Sequence, residues 1–382
     1  MTSISPVANV AVVGFGKIAQ ELHCPFVTAS PHLRLHTILE RHGDRCVQAY
    51  PNVCRATTMD VVCADAAVHL VIITTPNDSH ASLARQALQA GKHVMVEKPL
   101  VNTYAEAQEL VQLATERNLI LTVFHNRRLD GDFLTVKRLI EAASDDSDER
   151  GVLGRIVYYE SHFDRYRDQL KPNHAWREAA GPGSGVLADL GPHLLDQALY
   201  LFGTPDTVTA DVRNQRQLKP NDPVDDTFTV HLDYQATGLR CTLTAGMLVR
   251  MANPLRFMVN GTRGTYLKYG GDPQEAQLQR GKYPFNCIEY GLELDQDKWG
   301  QIDTTLPDTQ GGVHLVGRVE PVRGNYGAFF EALGRAVVDH DPVVPVVYAK
   351  YEALVSPREA AQCIRLIELC RQSSEEKRTV AW

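Results

Sequence analysis

The feature that most constrains this chain is Gly14-Phe15-Gly16-Lys17-Ile18-Ala19, set between the β-branched run Val7 to Val13 and a helix-compatible stretch from Lys17 to Ser30. A strand that turns on two glycines into a helix is a shape with few uses. Gly14 permits the tight turn, Gly16 lets a pyrophosphate approach backbone that a Cβ would block, and Ala19 allows close helix–strand packing. The helix start offers free N–H groups and a positive dipole end to phosphate, with Lys17 and Ile18 in its first turn. Glu40 follows about 20 residues later, after the apolar segment Leu33 to Leu39, where an acid accepts hydrogen bonds from ribose hydroxyls. Its charge repels a 2′-phosphate and so slightly favours NAD, whereas Arg41 beside it suits NADP. The spacing leaves the two open.

The alternation of periods continues to about residue 125. Val68 to Thr75 is a near-continuous apolar run, as in strands covered on both faces. Asn77, Asp78 and Ser79 offer N-caps to a helix that Gly91 would end. Val94 to Val96 and Leu119 to Phe124 read as further strands, and Thr103 with Glu106 has capping-box spacing before a helix from Tyr104 to about Arg117. Strand, helix and strand in this order imply right-handed crossovers and a parallel sheet. Residues 1–125 are therefore expected to form an α/β domain of Rossmann type, a doubly wound parallel sheet that binds a dinucleotide.

Beyond it the grammar changes. Phe133 to Ala143 is helical, and Ser144 to Arg150 is an acidic stretch with almost nothing to bury, read as a solvated loop tip. Strand-like segments follow at Ile156 to Glu160, Val208 to Val212, Phe228 to Tyr234, Leu239 to Ala245 and Leu255 to Val259. Consecutive strands with few helices favour a mainly antiparallel open sheet, so residues 126–382 are expected to be an α+β domain. Residues from about 270 to 320 are rich in Gly, Pro and Gln and should form long loops, with a subunit contact as one use. Ser356, Pro357 and Glu359 combine an N-cap, an N1 proline and a capping-box acid, and Ile364, Ile367 and Cys370 then line one helix face.

Composition narrows the partners. The 382 residues allow two domains, and a formal net charge of -7 removes the basic surface that a phosphate-backbone binder needs. No nucleic acid is expected. No membrane is expected either, since the longest apolar run, Val68 to Ile73, is strand-sized. Met1 to Pro6 lacks the basic and apolar regions of a secretory signal, and the eight cysteines never form a CxxC pair, so a cytoplasmic location with reduced thiols is expected. The 14 histidines show no HxxxH, HExxH or Cys/His ligand spacing, and no metal is expected.

Ligands of an open parallel sheet bind beyond the carboxyl ends of its strands. Thr74-Thr75-Pro76-Asn77-Asp78-Ser79-His80 and Gly91-Lys92-His93-Val94-Met95-Val96-Glu97-Lys98-Pro99 close the fourth and fifth strands and so lie on that side. Whether the Lys98–Pro99 bond is cis cannot be read from sequence. Together with GxGxxA and Gly183-Ser184-Gly185-Val186-Leu187-Ala188-Asp189-Leu190-Gly191-Pro192-His193-Leu194-Leu195-Asp196, these segments resemble the Gfo/Idh/MocA oxidoreductase family over almost the whole chain. His125-Asn126-Arg127-Arg128, Asp132-Phe133-Leu134-Thr135, Tyr269-Gly270, Asp272-Pro273-Gln274-Glu275 and the tail Glu376-Lys377-Arg378-Thr379 resemble its scyllo-inositol dehydrogenase branch.

The resemblance implies an NAD- or NADP-dependent dehydrogenase acting on a secondary hydroxyl of an inositol or sugar-like polyol. It also implies a homodimer or homotetramer built through the open sheet of the second domain. Carried over residue by residue, it makes Lys98, Asp189 and His193 the catalytic set. Dinucleotide contacts fall to Gly14, Gly16, Lys17, Ile18, Glu40, Arg41, Thr75, Pro76, Asn77, His80, Glu97, Lys98 and Asn126.

Their chemistry stands independently. Moving a hydride from a carbinol carbon to nicotinamide requires the hydroxyl proton to leave, which suits a base of near-neutral pKa. His193 is the expected base, Lys98 the cation that stabilises the alkoxide, and Asp189 the orienter of His193 or of a substrate hydroxyl. Pro192 in a first helical turn would place His193 where the dipole disfavours imidazolium. The polar segment Tyr158 to Arg167 borders the pocket by resemblance, with His162 and Arg165 expected to read substrate hydroxyls beside Lys98, Asp189 and His193. Trp176-Arg177 resembles a family WR element. A dinucleotide-binding regulator without turnover is the alternative, opposed by the intact Lys98, Asp189 and His193. A methyltransferase using the same glycine turn would leave the EKP and DLGPH segments unexplained.

Overall fold

The computed structural model describes residues 7–141, 151–170, 178–219, 222–306 and 312–382. The acidic stretch Ser144 to Arg150 and the Trp176-Arg177 pair lie outside the described residues. The chain divides into two compact units. One comprises the residues up to Asn126 with Glu275–Tyr290 and Asn325–Ile364; the other comprises Arg127–Gln274, Gly291–Gly324 and Arg365–Trp382.

The first unit holds a six-stranded sheet: β1 (Ala8–Val13), β2 (Leu33–Leu39), β3 (Cys54–Ala56), β4 (Leu70–Ile73), β5 (His93–Val96) and β6 (Leu121–Val123). The order is β3-β2-β1-β4-β5-β6 and every pairing is parallel. β1, β4, β5 and β6 are buried at every position, because helices cover both faces of such a sheet. Its connections carry α1 (Cys24–Ala29), α2 (Arg45–Ala49), α3 (Met59–Ala64), α4 (His80–Gln89) and α5 (Tyr104–Glu116). Thr103 and Glu106 form the expected capping box at the start of α5.

The second half begins with α6 (Gly131–Glu141), β7 (Ile156–His162), α7 (Val186–Asp189) and α8 (Gly191–Phe202). Then come β8 (Thr207–Arg213), β9 (Thr227–Tyr234), β10 (Leu239–Gly246), β11 (Leu255–Gly261) and β12 (Gly264–Tyr269). The chain ends with α9 (Gln274–Leu278), β13 (Gly300–Leu306), β14 (Val313–Val319), α10 (Gly327–Val338), α11 (Pro357–Glu376) and β15 (Val380–Ala381). The nine strands form one sheet in the order β14-β13-β12-β11-β7-β10-β9-β8-β15. Only the β7–β10 pair is parallel. On β9, Phe228, Val230, Leu232 and Tyr234 are buried between more open neighbours, the alternation of a sheet with one packed face.

α10 belongs to the first unit. Its Phe330 stacks on Phe26 at 5.1 Å, and Phe329 meets Phe124 edge-on at 4.8 Å.

Three expectations change. The helix expected from Lys17 to Ser30 forms over 17–29, but it widens to a π-helical turn at Ala19–His23 before α1. Pro25 is the cause, since it has no N–H for the carbonyl of Glu21 and its ring would crowd it. That carbonyl accepts the Tyr283 hydroxyl at 3.0 Å instead. Ser79 precedes α4 without capping it, because its hydroxyl donates to the Pro76 carbonyl and to Thr75 Oγ1, both at 2.7 Å. Finally, the stretch expected as loops from about 270 to 320 contains α9, β13 and β14.

Candidate active site

The two glycines of the first turn differ in what surrounds them. Gly14 has φ +97°, and a Cβ there would lie 3.1 Å from both Thr74 Oγ1 and Thr75 Cγ2. Thr74 approaches because its hydroxyl donates to the carbonyls of Val13 and Gly14. A Cβ on Gly16 would meet nothing within 4 Å. Gly14 is thus required by the fold, whereas the hydrogen of Gly16 faces open space where only a ligand would notice a methyl group. That cradle, at the carboxyl end of β1, fits a dinucleotide pyrophosphate.

Glu40 directly follows β2, with its side chain 4% exposed. Arg45 Nε donates to its Oε1 at 2.8 Å, and the Cys46 amide donates to Oε2 at 2.9 Å. Burial alone would raise this carboxyl, but the Cys46 amide and the Arg45 guanidinium hold it below the usual carboxylate range. Glu40 is therefore anionic with one oxygen already on a cation, and Arg41 beside it is exposed.

Beyond β4, Thr75, Pro76 and Asn77 lead through a single 3₁₀ turn into α4. His80 is 1% exposed, with Nδ1 at 2.8 Å from the Pro99 carbonyl and Nε2 at 2.9 Å from the Thr75 carbonyl. Its ring thus ties the loop after β4 to the loop after β5. Glu97 follows β5; its Oε1 accepts His23 Nε2–H at 2.6 Å, and its Oε2 accepts the Lys98 amide at 3.2 Å. Burial would raise Glu97, but His23 first, then Lys98 and His80, hold it below the usual range. The Lys98–Pro99 bond is cis. Asn126, the last residue of this unit's first segment, opens a 3₁₀ turn and is buried.

In the second unit Asp189 ends α7 and His193 is the third residue of α8, with Pro192 in its first turn as the sequence implies. The imidazole of His193 meets the Phe163 ring edge-on at 5.8 Å. Phe163 lies under the Arg256 guanidinium at 4.1 Å. The turn that presents Asp189 depends on Gly185 at φ +92°, where a Cβ would lie 2.2 Å from Asp225 Oδ1. Asp225 accepts the Leu187 amide at 2.7 Å and Arg371 Nη1 at 3.3 Å, and burial pushes its carboxyl up.

His162 has both ring nitrogens occupied at 2.8 Å, Nδ1 by Asp164 and Nε2 by Glu160. Burial lowers the imidazole, but these two carboxylates outweigh it and raise it overall. No ring N–H is left over for a substrate hydroxyl. Arg165 is fixed through its backbone, donating to the Gly246 carbonyl and accepting from Val249.

Two comparisons bear on this arrangement. Residues 8–125 match the oxidoreductase family's NAD-binding Rossmann fold, and residues 149–382 match its C-terminal alpha/beta domain. The chain belongs to the Gfo/Idh/MocA oxidoreductase family. It is 36% identical to the uncharacterized oxidoreductase YdgJ of Escherichia coli, over 97% of this chain and 98% of that one. It is 32% identical to the scyllo-inositol 2-dehydrogenase (NADP(+)) IolW of Bacillus subtilis, over 97% and 95% of the two chains. The solved structure of yvaA from Bacillus subtilis superimposes with a TM-score of 0.86 at 31% identity, covering 99% of each.

Several motif residues of this Gfo/Idh/MocA chain hold its second unit together. Arg128 makes a fork to Asp196 with both contacts at 2.7 Å. Arg256 donates to Asp132 and Gln197 at 3.2 Å and to Ser161 at 2.8 Å. Sequence spacing did not single out His23 or Asp225. His23 sits within an apolar helical stretch, and Asp225 lies in a short Val-Asp-Asp run that carries no motif.

Proposed function

We propose that this oxidoreductase moves a hydride between nicotinamide and a secondary hydroxyl or ketone of an inositol or sugar-like polyol. The observation that carries the reading is Lys98 at the carboxyl end of β5, in the same parallel sheet whose β1 ends at the open Gly16 cradle. Gly14, Gly16 and the first-turn residues Lys17 and Ile18 would hold the pyrophosphate, Glu40 and Arg41 the adenosine ribose, and Thr75, Pro76, Asn77 and Asn126 the nicotinamide half. Nicotinamide, when bound, supplies the hydride acceptor or donor.

The chain's own residues handle the proton. The positive end of α8 disfavours a charged His193, so its ring takes the hydroxyl proton during oxidation. The Lys98 ammonium stabilises the alkoxide that remains, and Asp189 orients His193 or a substrate hydroxyl. Arg165 reads a further hydroxyl. With its nitrogens spent on Glu160 and Asp164, His162 shapes that segment instead of contacting substrate directly.

The ribose site accepts either dinucleotide. Glu40 favours NAD, but Arg45 already balances its charge, and Arg41 leaves an exposed cation for a 2′-phosphate. The Bacillus subtilis relative named for NADP(+) agrees with that reading. We also infer a homodimer or homotetramer through the nine-stranded sheet, whose edge strand β14 exposes Val313, Leu315 and Val316. All eight cysteines are free thiols, consistent with the cytosol.

The test is a matrix of both nicotinamide dinucleotides against polyols and aldoses, followed by nicotinamide absorbance. Turnover should appear with a cyclic polyol. Lys98→Ala and His193→Ala should each lower kcat/KM at least about a hundredfold. A protein that binds the dinucleotide but turns over no member of the panel would be a regulator. A pH limb that persists unchanged in His193→Ala would move the role of base to another group.

A further inference from the structure

We propose that the Phe163 ring positions the His193 imidazole, and that Arg256 holds Phe163 in place for that task. The proposal rests on the reading of His193 as the base of the reaction.

Phe163 directly follows β7, and its backbone stays on the sheet. Its amide donates to the Thr244 carbonyl and the Arg165 amide donates to the Gly246 carbonyl, both at 2.9 Å. Side chains along an extended run alternate, so Phe163 shares a face with the fully buried Ser161 and not with His162. On that face its ring meets the His193 imidazole at 5.8 Å, with the two planes at 81°. The ring is half-buried, so its removal opens no closed cavity in the core.

What holds the ring is Arg256, itself 3% exposed. Its guanidinium lies 4.1 Å over Phe163 and 4.0 Å over Phe257. Its N–H groups donate to Ser161 Oγ at 2.8 Å, to Asp132 Oδ2 and Gln197 Oε1 at 3.2 Å, and to the His162 carbonyl at 3.3 Å. A flat guanidinium stacks through its faces while donating in its plane, which a lysine ammonium cannot do. Gln197 stands four residues after His193, on the same face of α8. It is fully buried, and its Nε2 donates to the Arg127 carbonyl at 2.8 Å. The helix that carries His193 and the ring that meets it are therefore pinned to the same cation. Stability alone does not require this arrangement, since apolar residues of similar volume often replace a buried ion pair without loss.

The experiment compares Phe163→Leu and Phe163→Tyr with the parent, all as the full-length protein. Phe163→Leu should lower kcat at least about tenfold with the dinucleotide Kd unchanged, because a displaced base slows the chemistry and not the binding of the dinucleotide. Phe163→Tyr keeps the ring and should recover most of the loss. In a His193→Ala background, Phe163→Leu should cost less than about twofold in kcat, since a residue acting through another adds nothing once that other is gone. The histidine NMR spectrum reads the same contact without turnover. The His193 ring signal, assigned by its absence from His193→Ala, lies in the ring current of Phe163; it should move in Phe163→Leu and stay in Phe163→Tyr. An unchanged kcat in a folded Phe163→Leu protein, an equal loss with and without His193, or an unmoved signal overturns the proposal. If Phe163→Leu does not fold, Phe163→Met, which keeps the volume and loses the ring, replaces it under the same outcomes. A signal that moves in a protein that turns over no polyol would keep the positioning contact and remove the dehydrogenase reading.

Discussion

The two units bury their polar groups in different ways. In the first, β1, β4 and β5 form a nearly uncharged centre, and buried ionisable groups such as Glu40 and His80 gather where the strands end. In the second, the charges run through the interior: Arg128 with Asp196, Arg256 with Asp132, and Arg216 with Asp226. Apolar strands specify a fold by area and period, and they leave strand ends free for a ligand. An ionic network specifies it by pairing, so its members are tied to one another and few are free to change. The two turns repeat the contrast. The missing Cβ of Gly16 faces open space, and that of Gly185 faces a carboxylate.

The largest expected effect lies in that network. Asp196→Ala would strand the Arg128 guanidinium, whose side chain is 7% exposed and lies 4.3 Å over the Tyr200 ring. A buried charge left alone costs about 3–5 kcal/mol, to be read from urea unfolding. The double replacement Arg128→Met with Asp196→Leu should recover most of it, because the pair's desolvation penalty goes with the pair. A loss below about 1 kcal/mol in the single variant would break the contrast between the units.

Next come the glycines. Gly185→Ala must place a methyl group against Asp225 at a φ that side chains avoid, at a cost of roughly 2–4 kcal/mol. Gly16→Ala should change unfolding by less than about 0.5 kcal/mol, while weakening dinucleotide binding at least about tenfold. Calorimetry and fluorescence titration of the two variants, side by side, should give opposite patterns. Equal dinucleotide affinity in Gly16→Ala would remove the cradle from the binding site.

A smaller effect is set by pH. Asp272 accepts the amides of Gly131 at 2.6 Å and Gln274 at 2.8 Å, tying the start of α6 to the loop before α9. Burial, helped by the charge of Asp132, pushes its carboxyl up to about 7. The unfolded chain releases this proton near the ordinary value of 3.8, whereas the folded protein keeps it to about 7. Between those limits the unfolded state binds fewer protons, so stability should fall as pH rises, then level off above about 7. The slope from this one group is at most about 1.4 kcal/mol per pH unit, and Asp272→Asn should remove it.

How much of this was legible in the sequence follows from the same contrast. The parallel sheet announces itself because strands covered on both faces must be continuously apolar, as Leu70 to Ile73 are. The Thr103 cap and the place of His193 in the first turn of α8 follow from local chemistry that needs no tertiary partner. β13 was not legible because its inward residues are Gly300, Ile302 and Thr304, and Gly300 is small to admit the Tyr266 ring. β14, an edge strand, is exposed or half-exposed throughout and carries no buried period. The π-helical turn follows from Pro25, but the Tyr283 hydroxyl that satisfies the Glu21 carbonyl comes from more than 250 positions away and leaves no local signal. By sequence, His162 is expected to read substrate because it stands with Asp164 and Arg165 in the polar segment where β7 exits. That Asp164 and Glu160 take both ring nitrogens depends on side-chain placement that the sequence does not give.

The smallest effect belongs to the cap on α5. Thr103 Oγ1 accepts the Glu106 amide at 3.2 Å, and Glu106 Oε2 accepts the Thr103 amide at 3.1 Å. Thr103→Ala leaves the Glu106 amide to water, costing about 1 kcal/mol, and Thr103→Asp should restore most of it. Both residues are at the surface and outside the dinucleotide and substrate residues, so kcat/KM should not change. The effect should also not grow at the pH where Asp272 titrates. If Thr103→Ala cost as much as Asp196→Ala, local capping would rank with the buried network, and the division between a unit built on period and a unit built on pairing would fail.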